Sequence, residues 1–126
     1  MWLVSGVEVS RVSTGWATVV RVAGDVGSVD VAGVGAQLRA AWVGAVEGGV
    51  VVLDLRDVAL LSAHGARLVN RFVAGCVRGR VQVCLVLDPG GAAYRVLRIT
   101  GVSERVPVFA DPEAARVAVG RVASGR

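Results

Sequence analysis

The sequence predicts a single α/β domain built on a mixed, mostly parallel central sheet of about five strands with about four helices. Three observations predict it. The chain has 126 residues, which suits one domain, and 54% of them are apolar, enough for a sizeable core. Residues 50–55, Val-Val-Val-Leu-Asp-Leu, carry aliphatic side chains on successive positions, the pattern of a strand covered on both faces. Strand-like and helix-like segments then alternate, in the order ββαβαβαβα, which requires crossover connections between parallel strands.

Residues 7–12 alternate valine with polar side chains, and 18–23 do much the same. Ser13-Thr14-Gly15 between them predicts an antiparallel hairpin, with Trp16 entering the second strand and Trp2 lying ahead of the first. Gly24-Asp25-Val26-Gly27 ends the second strand, and Ser28 or Asp30 is placed to cap the next helix. That helix, residues 31–46, carries Val31, Val34, Leu38, Ala41 or Trp42, and Ala45 at helical spacing. Gly33 and Gly35 weaken it, each by about 1 kcal/mol against alanine. Glu47-Gly48-Gly49 is the exit turn.

After the strand at 50–55, a helix is expected over 63–77, with Ser62 as its N-cap. Leu68, Val69, Phe72, Val73 and Cys76 form its apolar stripe, with Arg67, Asn70 and Arg71 toward the other side. Residues 81–87 read as the next strand, and Asp88-Pro89-Gly90-Gly91 as a turn. A short helix over 92–99 presents Val96, Leu97 and Ile99 as apolar residues and stops at Gly101. Residues 106–109 are a short strand; Pro107 has no amide donor, which sends that strand to a sheet edge. Asp111-Pro112-Glu113 opens the last helix as N-cap, first-turn proline and dipole-matched acid. The helix is expected to run to 122, leaving a frayed tail and a domain core of residues 7–122.

The net charge is +4, and every cation is an arginine. The arginines of the second half are spread along the chain, not clustered as in nucleic-acid binders, so direct nucleic-acid binding is not expected. A mildly basic surface favours an acidic protein partner. No apolar run approaches the ~18 to 20 residues of a membrane span, and the N-terminus lacks a secretory pattern, so a cytoplasmic protein without membrane contact is expected. Cys76 and Cys84 are too few for a disulfide framework and fit no zinc spacing, so no metal is expected. They read as small buried apolar residues, or as a redox pair if the helix end and the next strand bring them together. Gly90-Gly91 is a turn, not a phosphate cradle, and no cofactor is expected.

Leu60-Leu61-Ser62-Ala63-His64-Gly65 is where small polar groups meet a helix N-terminus directly after the core strand. Together with the run before it, from Val51-Val52-Leu53-Asp54-Leu55 through Arg56-Asp57-Val58-Ala59, this stretch resembles the signature of the STAS domain as found in bacterial anti-sigma factor antagonists. That signature is an apolar strand, Asp-Leu, an apolar pair, then Asp-Ser-Ser/Thr-Gly opening a helix. Gly24-Asp25-Val26 resembles the family's Gly-Glu-Leu-Asp pattern, whose closing Asp falls on Gly27. Pro89, Val96-Leu97, Ile99-Thr100-Gly101-Val102 and Pro107-Val108-Phe109 resemble its closing half.

The resemblance implies a small α/β domain, and with no catalytic constellation around His64 an enzyme is not expected. It implies a partner that is an anti-sigma factor and also a serine-protein kinase, whose capture frees a sigma factor. In the family the kinase phosphorylates the first Ser of Asp-Ser-Ser-Gly, which breaks the complex. A phosphate there meets free amides at a helix N-terminus and adds ~1.5 to 2 negative charges to a docking surface. Aligned on Gly65, the family's Asp falls on Ser62, the acceptor Ser on Ala63 and the second Ser or Thr on His64, so the usual acceptor hydroxyl is lost. Ser62 is read as an N-cap, with a displaced phosphoacceptor as its alternative. His64, the only histidine, is read as an exposed contact residue; Asp54 and Asp57 are given turn and strand-end roles.

The expected function is therefore that of an anti-sigma factor antagonist-like binding protein, monomeric or weakly dimeric. It would dock its partner through Ser62, Ala63, His64, Gly65 and Arg67, with Asp25, Gly27 and Ser28 alongside. The alternatives are a STAS scaffold or regulatory subunit in a larger signalling or transport complex, and redox control through Cys76 and Cys84.

Overall fold

A computed structural model describes residues 2–4, 7–26, 31–43 and 49–124. Its strands are β1 (Trp2–Val4), β2 (Val7–Ser13), β3 (Thr18–Val26), β4 (Val50–Leu61), β5 (Gln82–Val86) and β6 (Val108–Phe109). The helices are α1 (Val31–Val43), α2 (Ala63–Arg78), α3 (Ala92–Thr100), α4 (Val102–Arg105) and α5 (Pro112–Ser124). The expected order is present, with two additions. Trp2 opens a strand of its own, opposite Val9 of β2, and the four-residue α4 follows directly on α3.

The six strands lie side by side in their sequence order. β1, β2 and β3 pair antiparallel, whereas β3–β4, β4–β5 and β5–β6 pair parallel. Each parallel step moves the same way across the sheet, so crossovers of one hand all fall on one face. That face carries α1, α2, α3 and α4. Val34, Leu38, Leu68, Val69, Phe72, Val73, Cys76, Leu97 and Val102 pack there against Val20, Val51, Leu53, Val83 and Leu85. α5 comes after the last strand and covers the other face, where Ala115 meets Val52, Cys84 and Val86. The aliphatic run of β4 is thus buried on both sides, from Val51 to Leu55.

The main departure from the sequence reading is the length of β3 and β4. β4 continues through Arg56-Asp57-Val58-Ala59-Leu60 to Leu61, and β3 continues to Val26. The charged pair Arg56-Asp57 reads locally as a loop, but each strand supplies the other's hydrogen-bonding partner. Their register slips twice, between Arg21 and Ala23 and between Gly24 and Asp25, with β4 holding one residue more than β3 in each gap. Such bulges bend and twist a strand pair. Gly24, at the second slip, has φ +106°, a backbone open chiefly to glycine.

Smaller features follow the local chemistry. Thr14 closes the β2–β3 turn, its Oγ1 accepting from the Ala17 amide at 3.0 Å and donating to the Ala17 carbonyl at 2.9 Å. β6 lies at the sheet edge, and the carbonyl of Pro107 accepts from Leu85 at 2.9 Å, a pairing that needs no proline amide. Gly101 ends α3 in the left-handed conformation, φ +82°. Asp111 caps α5, accepting from the Ala114 amide at 2.8 Å. Of the apolar residues of α3, Leu97 is buried, whereas Ile99 is 83% exposed. The proposed caps Ser28 and Asp30, and residues 44–48 with Ala45 and most of the exit turn, lie outside the described residues, as do the side chains of Val31, Ala41 and Trp42.

Candidate functional site

The parallel pair β3–β4 ends at Val26 and Leu61, which lie opposite each other and are both buried. One residue later the chain turns into α2. Ser62 makes that turn in an extended conformation, φ −82° and ψ 172°. Its amide donates to the Val26 carbonyl at 3.0 Å, continuing the ladder by one bond. Its side-chain oxygen accepts from the Gly65 amide at 3.1 Å, and its carbonyl accepts from Ala66 at 2.9 Å. Ser62 is therefore the N-cap of α2, satisfying an amide that the first turn leaves without a helical partner.

Gly65 lies directly behind this cap. A Cβ placed on it would come within 2.6 Å of the Val26 carbonyl oxygen and 2.8 Å of Leu61 Cδ1. Only a residue without a side chain lets α2 start this close to the strand ends. Gly65 is buried, beneath the turn that carries the exposed residues.

The same arrangement leaves Ala63, His64 and Arg67 exposed on the first turns of α2, beside exposed Asp25 at the end of β3. Leu60, paired with Asp25, adds an apolar side chain that is 51% exposed. Leu60 opens the stretch singled out from sequence but was not placed among its contact residues, since the strand was expected to end at residue 55. The structure thus gathers Asp25, Ser62, Ala63, His64, Gly65 and Arg67 at one end of the sheet; Gly27 and Ser28 lie outside the described residues. The methyl of Ala63 occupies the exposed position where the resemblance calls for a hydroxyl. Ser62 Oγ is held by a backbone amide, a geometry for capping. Among the described residues no group of three or more His, Cys, Asp or Glu side chains comes together to hold a metal ion.

A charged cluster underpins the strand that leads into the site. Asp54 is 2% exposed, in the middle of β4. Arg56, two residues on, folds back over it: Nε donates to Oδ1 at 3.0 Å and Nη2 to Oδ2 at 2.8 Å. The Arg56 amide also donates to Asp54 Oδ1, at 3.1 Å. The hydrogen bond to Asp54 is the main reason the Arg56 pKa is raised. Arg21, opposite Asp54 on β3, reaches it at 3.8 Å and pairs with Asp57. These four side chains brace the first bulge, so Asp54 and Asp57 hold strands in place from within β4, not from the turn and strand end expected of them.

Cys76 and Cys84 are both free and buried. Cys76 belongs to the core cluster under α1–α4, and Cys84 faces the α5 side of the sheet. The sheet separates them, so the structure does not bring the suggested redox pair together. Burial pushes each thiol up to about 11, which leaves both protonated at neutral pH.

Comparison with known protein families matches residues 10–115 to the STAS domain. Among solved structures, an anti-sigma factor antagonist from Mycobacterium paratuberculosis is similar, with 20% identity and a TM-score of 0.74, over 90% of this chain and 93% of that one. An uncharacterized protein with a SpoIIAA-like fold from Shewanella loihica is similar too, with 15% identity and a TM-score of 0.54, over 91% of this chain and 94% of that one. No curated protein matches the chain. At these identities the solved structures speak to the fold.

Proposed function

The chain belongs to the STAS domain family, and from that premise we propose that it works as an anti-sigma factor antagonist-like regulatory protein. It docks an anti-sigma factor of the serine-kinase type and thereby releases a sigma factor. The observation that carries this reading is the surface at the end of β3 and β4. Ala63, His64 and Arg67 project from the capped start of α2 beside Asp25 and Leu60, on a backbone fixed by Ser62 and Gly65. Asp25 and Arg67 bring opposite charges to this end of the sheet, and Leu60 and Ala63 bring exposed apolar groups, a combination that gives both orientation and area to a protein contact.

The protein acts by binding, without cofactor or catalysis of its own, in the cytoplasm. Among the described residues no helix is long and apolar enough to cross a membrane. Because position 63 carries a methyl, a kinase-type partner finds no acceptor there, and the complex persists where that of a serine-bearing relative is broken. Ser62 does not substitute, since its hydroxyl caps α2.

The test is a titration of the purified protein with each anti-sigma kinase of its host, with and without ATP and magnesium. One kinase binds stoichiometrically, the complex survives ATP, and Ala63→Glu weakens it at least tenfold. Failure to bind any of them, or phosphate found on Ser62 by mass spectrometry, overturns the reading.

A further inference from the structure

Helices α1 and α2 lie side by side on the sheet and leave between them a groove of about 300 Å³. Buried Leu38, Leu68 and Phe72 form its apolar floor. Gly35 and Gly75 keep its walls low; a Cβ on Gly35 would press on Leu68 Cδ2 at 3.1 Å. Arg39 on α1, and Arg71 and Arg78 on α2, stand along its two rims. All three are exposed.

Several arginines elsewhere in the fold have partners within it. Arg21 and Arg56 are matched by Asp54 and Asp57, and Arg116 by Glu113. Arg105 donates to Asn70, and Arg98 lies over the Tyr94 ring. Arg39, Arg71 and Arg78 have no ion-pair partner among the described residues, nor does Arg67, one turn from Arg71 on the same helix. Like charges gathered round an apolar floor repel each other, and an acidic ligand laid between them relieves that repulsion.

We propose that this groove docks an acidic amphipathic helix of a protein partner. Its form favours a helix over a single anionic headgroup. The positive charges line both rims, and Arg71 and Arg78 are seven residues apart, about 10 Å along α2. A helix laid in the groove would set an apolar stripe, spaced i, i+3, i+4 and i+7, on Leu38, Leu68 and Phe72, with carboxylates on each side facing the rims. The groove lies apart from the junction of β3, β4 and α2, and the inference does not rest on the function proposed for that junction. Arg67 connects the two along one helix, so a single partner is able to span both.

The probe is a labelled 18-residue peptide with leucine at i, i+3, i+4 and i+7 and glutamate on both flanks of that stripe, titrated against the full chain by fluorescence anisotropy. It binds in 50 mM salt and several-fold more weakly in 300 mM. Arg71→Glu combined with Arg78→Glu weakens binding at least tenfold, and so does Arg39→Glu alone, which leaves α2 untouched. Arg95→Glu, on α3, leaves it unchanged. The same peptide with lysine for glutamate does not bind. Equal binding by the rim variants, equal binding of the lysine peptide, or occupancy of the groove by dodecanoate but not by the acidic peptide overturns the proposal.

Discussion

Gly65, in the first turn of α2, lies so close to Val26, the last residue of β3, that a methyl group on Gly65 would sit 2.6 Å from the Val26 carbonyl oxygen. That carbonyl is already the acceptor for the Ser62 amide. The helix therefore cannot move away from an added methyl without breaking the bond that joins it to the sheet. Gly65→Ala is expected to cost about 1–3 kcal/mol, the usual range for overpacking a well-packed site, and to lower the thermal midpoint by several degrees. Urea denaturation checks it. A change below about 0.5 kcal/mol would mean that α2 shifts freely at this end.

Ser62→Ala removes the cap and is expected to cost about 1 kcal/mol. Ser62→Asp keeps an acceptor for the Gly65 amide and adds charge at the positive end of the helix dipole, so it should retain most of that stability. Thermal melts of the two variants distinguish a cap from a hydroxyl held for modification: equal losses in both would remove the capping account.

The sequence reading located this junction but not its full shape. Ser62 as N-cap and the stripe from Leu68 to Cys76 follow from local spacing, which a helix enforces on its own residues. The continuation of β4 to Leu61 does not, because Arg56-Asp57 looks like loop until β3 is present to pair with it. Leu60 was for that reason not placed among the contact residues. Gly65 was legible as part of a motif, but its burial against Val26 depends on two elements meeting, which no single segment encodes. The same holds for Cys76 and Cys84. Only eight positions separate them, yet strand alternation and the side on which α2 packs put the sheet between them.

Asp54 is the one buried charge among the described residues, and Arg56 covers it with a two-pronged contact from the same strand. Asp54→Asn keeps the shape but cannot match both guanidinium donors, and leaves an amide where a charged acceptor was. The expected loss is about 1.5–3 kcal/mol, the range for a hydrogen bond to a charged group. Arg56 is partly exposed and can turn to water, which keeps the loss below that of a fully buried broken pair. Chemical denaturation checks the magnitude.

The two thiols give stability a dependence on alkaline pH. Burial raises each from 9.0 to about 11 in the folded chain. Between those values the unfolded chain has released thiol protons that the folded chain still holds, so stability falls as pH rises. The contribution is fully present below about pH 9 and is lost through pH 11. The slope reaches at most about 1.4 kcal/mol per pH unit for each thiol. Replacing both, Cys76→Ala with Cys84→Ala, should make the plot of unfolding free energy against pH shallower over that window. An unchanged slope would mean that the thiols ionise alike in both states.

Ala63→Ser returns a hydroxyl to the exposed first position of α2, next to the capping Ser62. If the partner is a kinase-type anti-sigma factor, this variant should gain one phosphate when incubated with it and ATP, whereas the parent chain gains none. The first-turn amides and the positive helix end stabilise a phosphate at that position, so the product should fold as the parent does. The added charge, about −1.5 to −2, then joins the exposed surface that carries Asp25, Leu60 and His64, where it must be desolvated against the partner. Binding should weaken at least tenfold after phosphorylation and recover on phosphatase treatment. Mass spectrometry reads the modification and titration reads the affinity. A phosphorylated variant that binds as before would show that the partner contacts the domain away from this turn, because a doubly charged group cannot enter a docked surface without cost.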